Sequence, residues 1–333
     1  MNDAVRTSMG TAKPKALFKY LSFNDKLLEQ LCYDRVYYAD PAKFNDPLDC
    51  LPVVVADLPK TELGRLLAQM VVNRSAMEID AAMKKVRLRG DKATARRKAL
   101  TESEARLVLG EIDYDATNPE VEDPEAFVCH ALSLAIEREL RRTHETGVLC
   151  LCSKFNSPLM WSHYANQHRG VCVEYDVSDL KPEALRKVSY GKSREVLASQ
   201  IRDWVLHDSL AARNPIDRAC LLTKSREWAY EGEWRLLGQI GLEESPMRLK
   251  SVIFGMRCAN VLKYTVVKAL QGREHNVKFW EIAQPTVRFE LKRSRVDVDN
   301  LMVGLPRQSS PYVFDDIDAI DSETKEAKQP PDA

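Results

Sequence analysis

Two glutamates and an arginine stand at alternate positions in the segment Tyr230-Glu-Gly-Glu-Trp-Arg235. The segment predicts an extended strand, on which Glu231, Glu233 and Arg235 share one face. Carboxylates this close together perturb each other's pKa, and a neighbouring guanidinium holds one of them ionised. The pattern predicts the wall of an active site, and the alternative is an exposed strand face with ordinary charge pairing.

A second group of candidate residues lies on a helix predicted at residues 159–169. His163 and His168 sit well apart around this helix, unlike the i, i+4 pair of a helical zinc site, so we predict ligand contacts rather than a metal. Trp161, Tyr164 and His168 instead share one face. They form either a wall that stacks on a flat ligand or part of the hydrophobic core.

The loop Phe44-Asn-Asp-Pro-Leu-Asp49 combines carboxylates and an amide in a turn that proline stiffens. Asn45 and Asp46 could orient a hydroxyl group of a ligand from this loop. Alternatively, they build an Asx turn that connects two elements of the fold. Both interpretations stay open at the level of sequence.

Residues 84–98 are strongly basic. The run contains Lys84, Lys85, Arg87, Arg89, Lys92, Arg96, Arg97 and Lys98 against the single acidic residue Asp91. Such a run binds the phosphates of a nucleic acid or nucleotide, or it forms a solvated face of a helical hairpin.

The charge balance excludes a global electrostatic attraction to polyanions. Lysine and arginine number 49, and aspartate and glutamate also number 49, so any basic patch is local. The amino-terminal residues lack the apolar core of a signal peptide, and no apolar run is long enough to span a bilayer. We therefore expect a cytoplasmic protein with no membrane partner.

Several common kinds of site have no sequence signature in this chain. The eight cysteines are scattered and mostly lie in apolar stretches, and the close pair Cys150 and Cys152 has no second ligand pair at zinc-finger spacing. No metal site is predicted. A Gly-rich phosphate loop, a Gly-x-Ser-x-Gly elbow and a zinc-deaminase pattern are also missing from the sequence.

The pattern of apolar residues predicts an α+β fold with a mixed, mainly antiparallel sheet flanked by helices. We expect a flexible tail at residues 1–14, a single domain at 15–305 with a helical insertion at 60–145, and a flexible acidic tail at 306–333. The expected strands are 16–20, 35–39, 148–153, 171–177, 187–190, the segment around residues 230–236, 248–254, 277–282 and 287–291.

Taken together, several blocks of the sequence resemble a widespread bacterial family catalogued only as a domain of unknown function. The blocks are Leu17-Phe-Lys-Tyr20, Phe44-Asn-Asp-Pro-Leu-Asp49, Met160-Trp-Ser-His-Tyr-Ala165 with His168-x-Gly-Val-Cys172, Trp228-x-Tyr-Glu-x-Glu-Trp-Arg235 and Ile253-Phe-Gly255. They cover most of residues 16–290 outside the helical insertion. This resemblance implies a fold boundary and no activity.

The order of these blocks is also similar to that of mono-ADP-ribosyltransferases. That resemblance implies NAD as substrate, Glu233 as the catalytic glutamate, Glu231 as its companion, and Tyr164 or Tyr38 as the aromatic residue that stacks on nicotinamide. The family has His or Arg on the first strand to bind ribose, where this chain has Lys19 followed by Tyr20. An enzyme of this type would act as a toxin or a defence effector.

Two other interpretations remain open. A metal-dependent nuclease or phosphodiesterase would use a set of carboxylates around a divalent cation. That set comprises Asp46, Asp49, Glu174, Glu231 and Glu233. In a non-catalytic interaction module, the same charged groups would hold the fold together while the helical insertion and the acidic tail recruit partners.

Overall fold

The computed structural model describes residues 13–143, 146–283 and 290–307. Within these residues the chain is α+β, as predicted: helices surround an eight-stranded sheet that is mainly antiparallel. The predicted tails lie almost entirely outside the described residues, as does most of the strand predicted at 287–291. No helix in the described ranges combines the length and the apolar character needed to cross a bilayer.

The strands predicted at 16–20, 35–39, 148–153, 171–177, 248–254 and 277–282 are present, each within one residue of its predicted ends, whereas the short strands β3, β8, β9, β11 and β14 given below were not predicted. The helices are α1 (Asp25–Cys32), α2 (Lys60–Lys85), α3 (Asp91–Asp115), α4 (Pro124–Thr143), α5 (Pro158–Tyr164), α6 (Ala198–His207), α7 (Leu210–Leu221), α8 (Asn260–Ala269) and α9 (Val298–Val303). The strands are β1 (Ala16–Leu21), β2 (Arg35–Tyr38), β3 (Val53–Val55), β4 (Gly147–Cys152), β5 (Val171–Asp176), β6 (Arg186–Lys187), β7 (Ser189–Tyr190), β8 (Glu195–Leu197), β9 (Thr223–Lys224), β10 (Glu233–Gly238), β11 (Gly241–Glu244), β12 (Arg248–Phe254), β13 (Lys278–Ala283) and β14 (Lys292–Arg295).

The main sheet has the strand order β14-β13-β12-β5-β1-β4-β10-β6. Its pairs are antiparallel except for β12 and β13, which run parallel. One cross-strand row runs through Glu174, Phe18, Cys152 and Glu233, so these four side chains project from the same face. We call this the charged face because it carries Glu174, Glu233 and Arg235.

The opposite face of the sheet is apolar. Leu17, Val173, Leu149 and Trp234 belong to one buried cluster, which also includes Val266 of α8. This arrangement follows from the alternation of side chains along each strand: every second residue is apolar and packs under the helices. The core therefore fixes which residues of β1, β4, β5 and β10 face the other way.

The helical insertion predicted at residues 60–145 consists of α2, α3 and α4. Its core contains Leu66, Leu67 and Ile136, and it is continuous with apolar residues of α6 and α7. Arg74 of α2 joins the helices because its guanidinium forms ion pairs with Glu78, Glu104 and Glu139.

Strands β1 and β4 separate soon after they meet. They are paired at Phe18 and Cys152 alone, whereas β1 pairs along its whole length with β5. Beyond that point the ammonium of Lys19 donates a hydrogen bond to the Cys150 carbonyl across 3.1 Å. The separation leaves an opening in the sheet next to the row that contains Glu233.

Two local predictions were wrong. The helix predicted at 159–169 ends at Tyr164, because Asn166, Gln167 and His168 all have positive φ angles. The following Gly170 packs so tightly that a Cβ atom there would lie 2.2 Å from the Leu21 carbonyl oxygen. In addition, the strand predicted around Glu231 begins only at Glu233, since Arg226–Glu231 forms a 3-10 helix.

Candidate functional site

Five charged side chains are buried together on the charged face. Their relative exposures are 7% for Asp49, 8% for Lys224, 4% for Glu231, 3% for Glu233 and 0% for Arg235. We call these five residues the charged cluster. Their burial excludes the interpretation of Glu231, Glu233 and Arg235 as an exposed, salt-bridged strand face.

Gly232 brings the two glutamates of this cluster together. It has a φ angle of 53° at the end of the 3-10 helix, a conformation that glycine adopts without the steric penalty of a side chain. A Cβ atom at this position would also lie 2.5 Å from Ser153 Oγ. Glu231 and Glu233 therefore share a site because the chain turns between them, and not because they alternate along one strand.

Lys224 lies at the centre of the three carboxylates. Its Nζ atom is 2.6 Å from Glu231 Oε2, 3.2 Å from Glu233 Oε2 and 3.3 Å from Asp49 Oδ2. The same ammonium lies 5.1 Å from the centre of the Trp228 ring, within the range of a cation–π contact. Although burial lowers the pKa of Lys224, the carboxylates of Glu233, Asp49 and Glu231 raise it well above the ordinary lysine range.

Arg235 donates hydrogen bonds to two carboxylates of the charged cluster, those of Asp49 and Glu233. Its Nη2 donates to both oxygens of Asp49 at 3.0 and 2.8 Å, and its Nε donates to Glu233 Oε1 at 2.8 Å. Its Nη1 donates to the Leu221 carbonyl at 2.8 Å. A guanidinium with this many partners holds Asp49 and Glu233 in fixed positions.

The two glutamates have different electrostatic environments. Burial raises the pKa of Glu233, but Arg235 and Lys224 outweigh it and lower that pKa to about 2. Burial dominates at Glu231 and raises its pKa, although Lys224 and Tyr164 act in the opposite direction. Glu233 is consequently a fixed anion, whereas Glu231 is the carboxylate of the pair that exchanges a proton more readily.

A cavity of about 230 Å³ opens above this cluster. Phe18, Tyr20, Phe44 and Tyr164 contribute aromatic walls, and Glu231 and Glu233 lie on the floor beside Asp49 and Lys224. Lys19 and Lys43 also line the cavity. The complete lining is Phe18, Lys19, Tyr20, Lys43, Phe44, Asn45, Asp49, Cys150, Leu151, Cys152, Met160, Tyr164, Lys224, Glu231 and Glu233.

Tyr164 connects the aromatic wall to the carboxylates. Its hydroxyl donates a 2.7 Å hydrogen bond to Glu231 Oε1, and its side chain also interacts with Asn45. Burial, together with the charge of Glu231, raises the pKa of Tyr164 above its ordinary value. The phenol is therefore a neutral hydrogen-bond donor that orients Glu231 in the cavity.

Three of the proposed ligand contacts, Trp161, His163 and His168, do not line the cavity. Trp161 is fully buried and donates from Nε1 to the Phe155 carbonyl at 2.7 Å, so it is a core residue. The His168 ring stacks on Trp161 at 5.7 Å between centroids instead of continuing a helical wall. His163 is exposed, with its ring 6.5 Å from that of Trp228.

Two further candidates also have structural partners away from the cavity. Tyr38 belongs to the apolar core on the opposite face of the sheet, which corrects the prediction that it stacks on a ligand. Asp46 accepts hydrogen bonds from Trp228 Nε1 at 2.7 Å and from its own turn at the Leu48 amide. Asp46 therefore forms an Asx turn, while its neighbour Asn45 lines the cavity.

The carboxylates proposed for a metal-dependent nuclease do not form one donor set. Glu174 lies three strands from Glu233, about 14 Å away at normal strand spacing. It instead binds Ser251, Lys250 and Arg293. Among the described residues, no group of three or more His, Cys, Asp or Glu residues is arranged to hold a metal ion. The space between the remaining carboxylates is taken by the Lys224 ammonium.

Two residues of the site, Lys224 and Tyr190, are not predicted by any pattern in the sequence. Lys224 lies in the two-residue strand β9, which has too few residues to show a periodic pattern. The Tyr190 hydroxyl accepts a 2.7 Å hydrogen bond from the Glu233 amide and so positions the start of β10. The local sequence around these two residues carries no signal for either contact.

Comparison with known proteins gives a family match over part of the chain. Residues 160–236 match the family described as "Protein of unknown function (DUF2971)". This match includes Tyr164, Lys224, Glu231 and Glu233, so it covers part of the cavity as well as β5 and the 3-10 helix. Searches of curated proteins and of solved structures found no match.

Proposed function

We propose that the chain is an enzyme of the ADP-ribosyltransferase type, which acts on the ribose of NAD. The observation that carries this proposal is the pair Glu231 and Glu233 on the floor of a cavity with aromatic walls. Such a transfer requires an aromatic side chain on which the nicotinamide ring stacks. It also requires a negative charge near the ribose carbon C1′, where positive charge develops. The residues that line the cavity are suited to both requirements.

The charge of the cluster favours a developing cation. Asp49, Glu231 and Glu233 contribute three negative charges, and Lys224 and Arg235 contribute two positive charges. The cluster thus has a net charge of −1 when Glu231 is ionised. Because these groups are buried and already oriented, their field acts in a low dielectric and needs little reorganisation during the reaction.

The cavity is suited to one part of a dinucleotide. Its volume of about 230 Å³ is below the range of roughly 300 to 1,000 Å³ that is typical of whole-ligand pockets. The aromatic rings of Phe44 and Tyr164 would contact nicotinamide inside it. Lys19 and Lys43 also line the cavity, so their ammonium groups would attract the diphosphate of the dinucleotide.

The two glutamates would have separate roles in the reaction. The bond between C1′ and the nicotinamide nitrogen breaks, and its electron pair leaves with nicotinamide. A lone pair of the acceptor forms the new bond to C1′, and the proton that the acceptor loses passes to Glu231. Glu233 remains ionised throughout and stabilises the positive charge at C1′, which agrees with the low pKa that Arg235 gives it.

The experiment that tests this proposal measures nicotinamide release from NAD by the purified protein. Release of nicotinamide measures cleavage of the bond between nicotinamide and ribose, and it does so for any acceptor of the ADP-ribose group. We expect Glu233→Gln to reduce the rate by at least about a hundredfold, as removal of one transition-state contact does in other enzymes. Glu195→Gln, an exposed glutamate on β8, is the matched control and should leave the rate unchanged.

Two results would contradict the proposal. Nicotinamide release by Glu233→Gln at the wild-type rate would remove Glu233 from the mechanism. No release by the folded wild-type protein with any acceptor would favour the interaction module instead. Circular dichroism and thermal unfolding of both variants must accompany the kinetics, since a rate loss through unfolding would say nothing about chemistry.

We further propose that this activity serves a toxin or a defence effector. An enzyme that consumes NAD or modifies an essential molecule would arrest the growth of a cell that expresses it. Expression of the wild-type chain in a bacterial host should therefore slow growth, and equal expression of Glu233→Gln should not. Equal growth arrest by both proteins would contradict this role.

A further inference from the structure

The tip of the hairpin formed by α2 and α3 carries a concentrated positive charge. We define the hairpin tip as residues 84–98, which include the end of α2, the connecting turn and the first two turns of α3. Its basic residues are Lys84, Lys85, Arg87, Arg89, Lys92, Arg96, Arg97 and Lys98. Since the whole chain has a formal net charge of zero, this excess is a local feature of the surface.

Most of these charges face solvent without an acidic partner. Within the described ranges, the only ion pairs of the hairpin tip join Arg97 to Asp80 at 2.7 Å and Lys98 to Glu102 at 3.9 Å. The other six basic side chains are exposed. Arg74, further from the tip in α2, instead forms ion pairs with three glutamates. The charge of this structural arginine is therefore neutralised, whereas six basic side chains of the hairpin tip have no such partner in the described part of the chain.

The start of α3 is an unfavourable place for cations. Lys92 lies in its first turn, next to Asp91, where the partial positive charge of the helix end repels a cation. Gly90 precedes the helix and provides no side-chain cap for the free amides. An anion bound at this position would turn the repulsion into attraction and would also satisfy those amides.

We propose that the hairpin tip binds the phosphate backbone of a nucleic acid. The cations extend over the turn and two helices, an arrangement that suits a row of phosphates rather than a single anion. A membrane surface fits less well, because residues 84–98 contain no aromatic residue and expose only Val86 and Leu88 as large apolar side chains. The contacts would be electrostatic and independent of base sequence.

The proposed contact is separate from the cavity. None of residues 84–98 lines the cavity, and α2, with 26 residues, is about 39 Å long, so the hairpin tip lies far from the other end of that helix at Lys60. The proposed nucleic acid contact depends only on the charges of the hairpin tip. Binding to nucleic acid can therefore be measured without NAD, and its result is independent of whether the chain has the proposed transferase activity.

The test measures the affinity of the full chain for three labelled probes at several salt concentrations. The probes are a 30-base-pair DNA duplex, a single-stranded RNA of 30 nucleotides, and vesicles of anionic lipid. The test variant replaces Lys84, Lys85, Arg87 and Arg89 with Gln. The matched control replaces four exposed lysines elsewhere, Lys181, Lys192, Lys278 and Lys292, with Gln, so that both proteins lose the same charge.

We expect the wild-type chain and the control to bind duplex or RNA with an affinity that falls steeply with salt. The test variant should bind at least tenfold more weakly at about 0.1 M salt. Its plot of log affinity against log salt for duplex should be shallower by about 3 to 4, since each lost phosphate contact contributes about 0.9. A second variant, Lys92→Gln with Arg96→Gln, tests the α3 side of the tip independently.

Three results would overturn the proposal. The wild-type chain could fail to bind either nucleic acid at low salt, or it could bind vesicles and neither nucleic acid. Alternatively, the control could lose as much affinity as the test variant, which would show that only net charge matters. Circular dichroism should give the same helix content for all variants, because the replaced side chains are exposed.

Discussion

Lys224 Nζ lies 2.6 Å from Glu231 Oε2, and both side chains are almost completely buried. A buried ammonium this close to a carboxylate replaces the water that both groups lose on folding. Because Glu233 and Asp49 share the same ammonium, Lys224 is the group that allows three carboxylates to be buried together. The stability of the cluster and the position of Glu231 therefore depend on one lysine.

Replacement of Lys224 by Met should destabilise the protein by about 3 to 5 kcal/mol, the range observed when one partner of a buried ion pair is removed. The side chain keeps its length, but the three carboxylates then have only Arg235 to neutralise them. Urea denaturation measures the loss. Lys192→Met, at an exposed position, is the control and should change stability by no more than about 0.5 kcal/mol.

A double-mutant cycle shows whether the carboxylates cause this loss. Glu231→Gln removes one negative charge, so the combination of Lys224→Met with Glu231→Gln should be more stable than Lys224→Met alone. If the double variant instead loses the sum of the two single effects, Lys224 and Glu231 do not interact energetically, despite their distance of 2.6 Å.

Glu233 should make the folded state sensitive to acid. Its pKa is lowered from 4.5 to about 2 on folding, mainly because Arg235 and Lys224 outweigh the burial penalty. The unfolded chain consequently binds the proton first. The stabilisation from this shift is about 3 kcal/mol, is complete above the unfolded pKa and disappears as the pH falls through about 2.

Urea denaturation between pH 6 and pH 2 tests this dependence. Glu233→Gln should be less stable than the wild-type chain at pH 6, and the difference should shrink as the pH falls from about 5 towards 2. Glu195→Gln, at an exposed position, should show a small difference that is flat over the same range. A difference for Glu233→Gln that does not change with pH would contradict the assignment of Glu233 as a buried anion.

Removal of the Tyr164 hydroxyl should change the pH profile of the reaction. Tyr164 donates to Glu231 Oε1 at 2.7 Å and lowers the pKa of Glu231, which burial has raised. In Tyr164→Phe the pKa of Glu231 therefore rises further. If Glu231 accepts the acceptor's proton, the acidic limb of the rate profile for nicotinamide release should move to higher pH.

The maximal rate of Tyr164→Phe should also fall, by about tenfold, because one hydrogen bond that orients Glu231 is lost. Tyr114→Phe is a matched control on α3, where Tyr114 is 77% exposed. Tyr114→Phe should change neither the maximal rate nor the pH of the acidic limb of the rate profile. An acidic limb that stays in place in Tyr164→Phe would show that Glu231 is not the group that titrates in the reaction.

The parts of the fold that follow a local pattern could be predicted from the sequence. Alternating apolar residues predict the strand β5, and the side chains of Asn24, Asp123 and Ser157 accept capping hydrogen bonds at the starts of α1, α4 and α5. These signals act over a few residues. The class of fold and most of the longer elements follow from them, including the helices α2, α3 and α4.

The charged cluster could be predicted only in part, because its contacts are not local. Arg235 binds Asp49, which is 186 residues away in the chain, and no sequence pattern connects the two. The sequence predicts that Glu231 and Glu233 share one face of a strand, because they stand at alternate positions. Their spacing in the sequence is the same whether residues 231–233 form a strand or turn at Gly232. The end of α5 was missed although Asn166 is a residue type that adopts positive φ angles comparatively readily, because Gln167, which also has a positive φ angle, does not share this tendency.

Gly232→Ala tests whether the turn between the two glutamates is needed. Its φ angle of 53° should cost an alanine about 1 to 2 kcal/mol, and the new Cβ would meet Ser153 Oγ. Gly272 also has a positive φ angle, of 80°, but open space around it, so Gly272→Ala controls for the backbone term alone. In urea denaturation Gly232→Ala should lose more stability than Gly272→Ala, because only the Cβ atom at position 232 meets another side chain. Only Gly232→Ala should also lose nicotinamide release, because it displaces Glu231 from Tyr164, and equal activity in both would disprove that requirement.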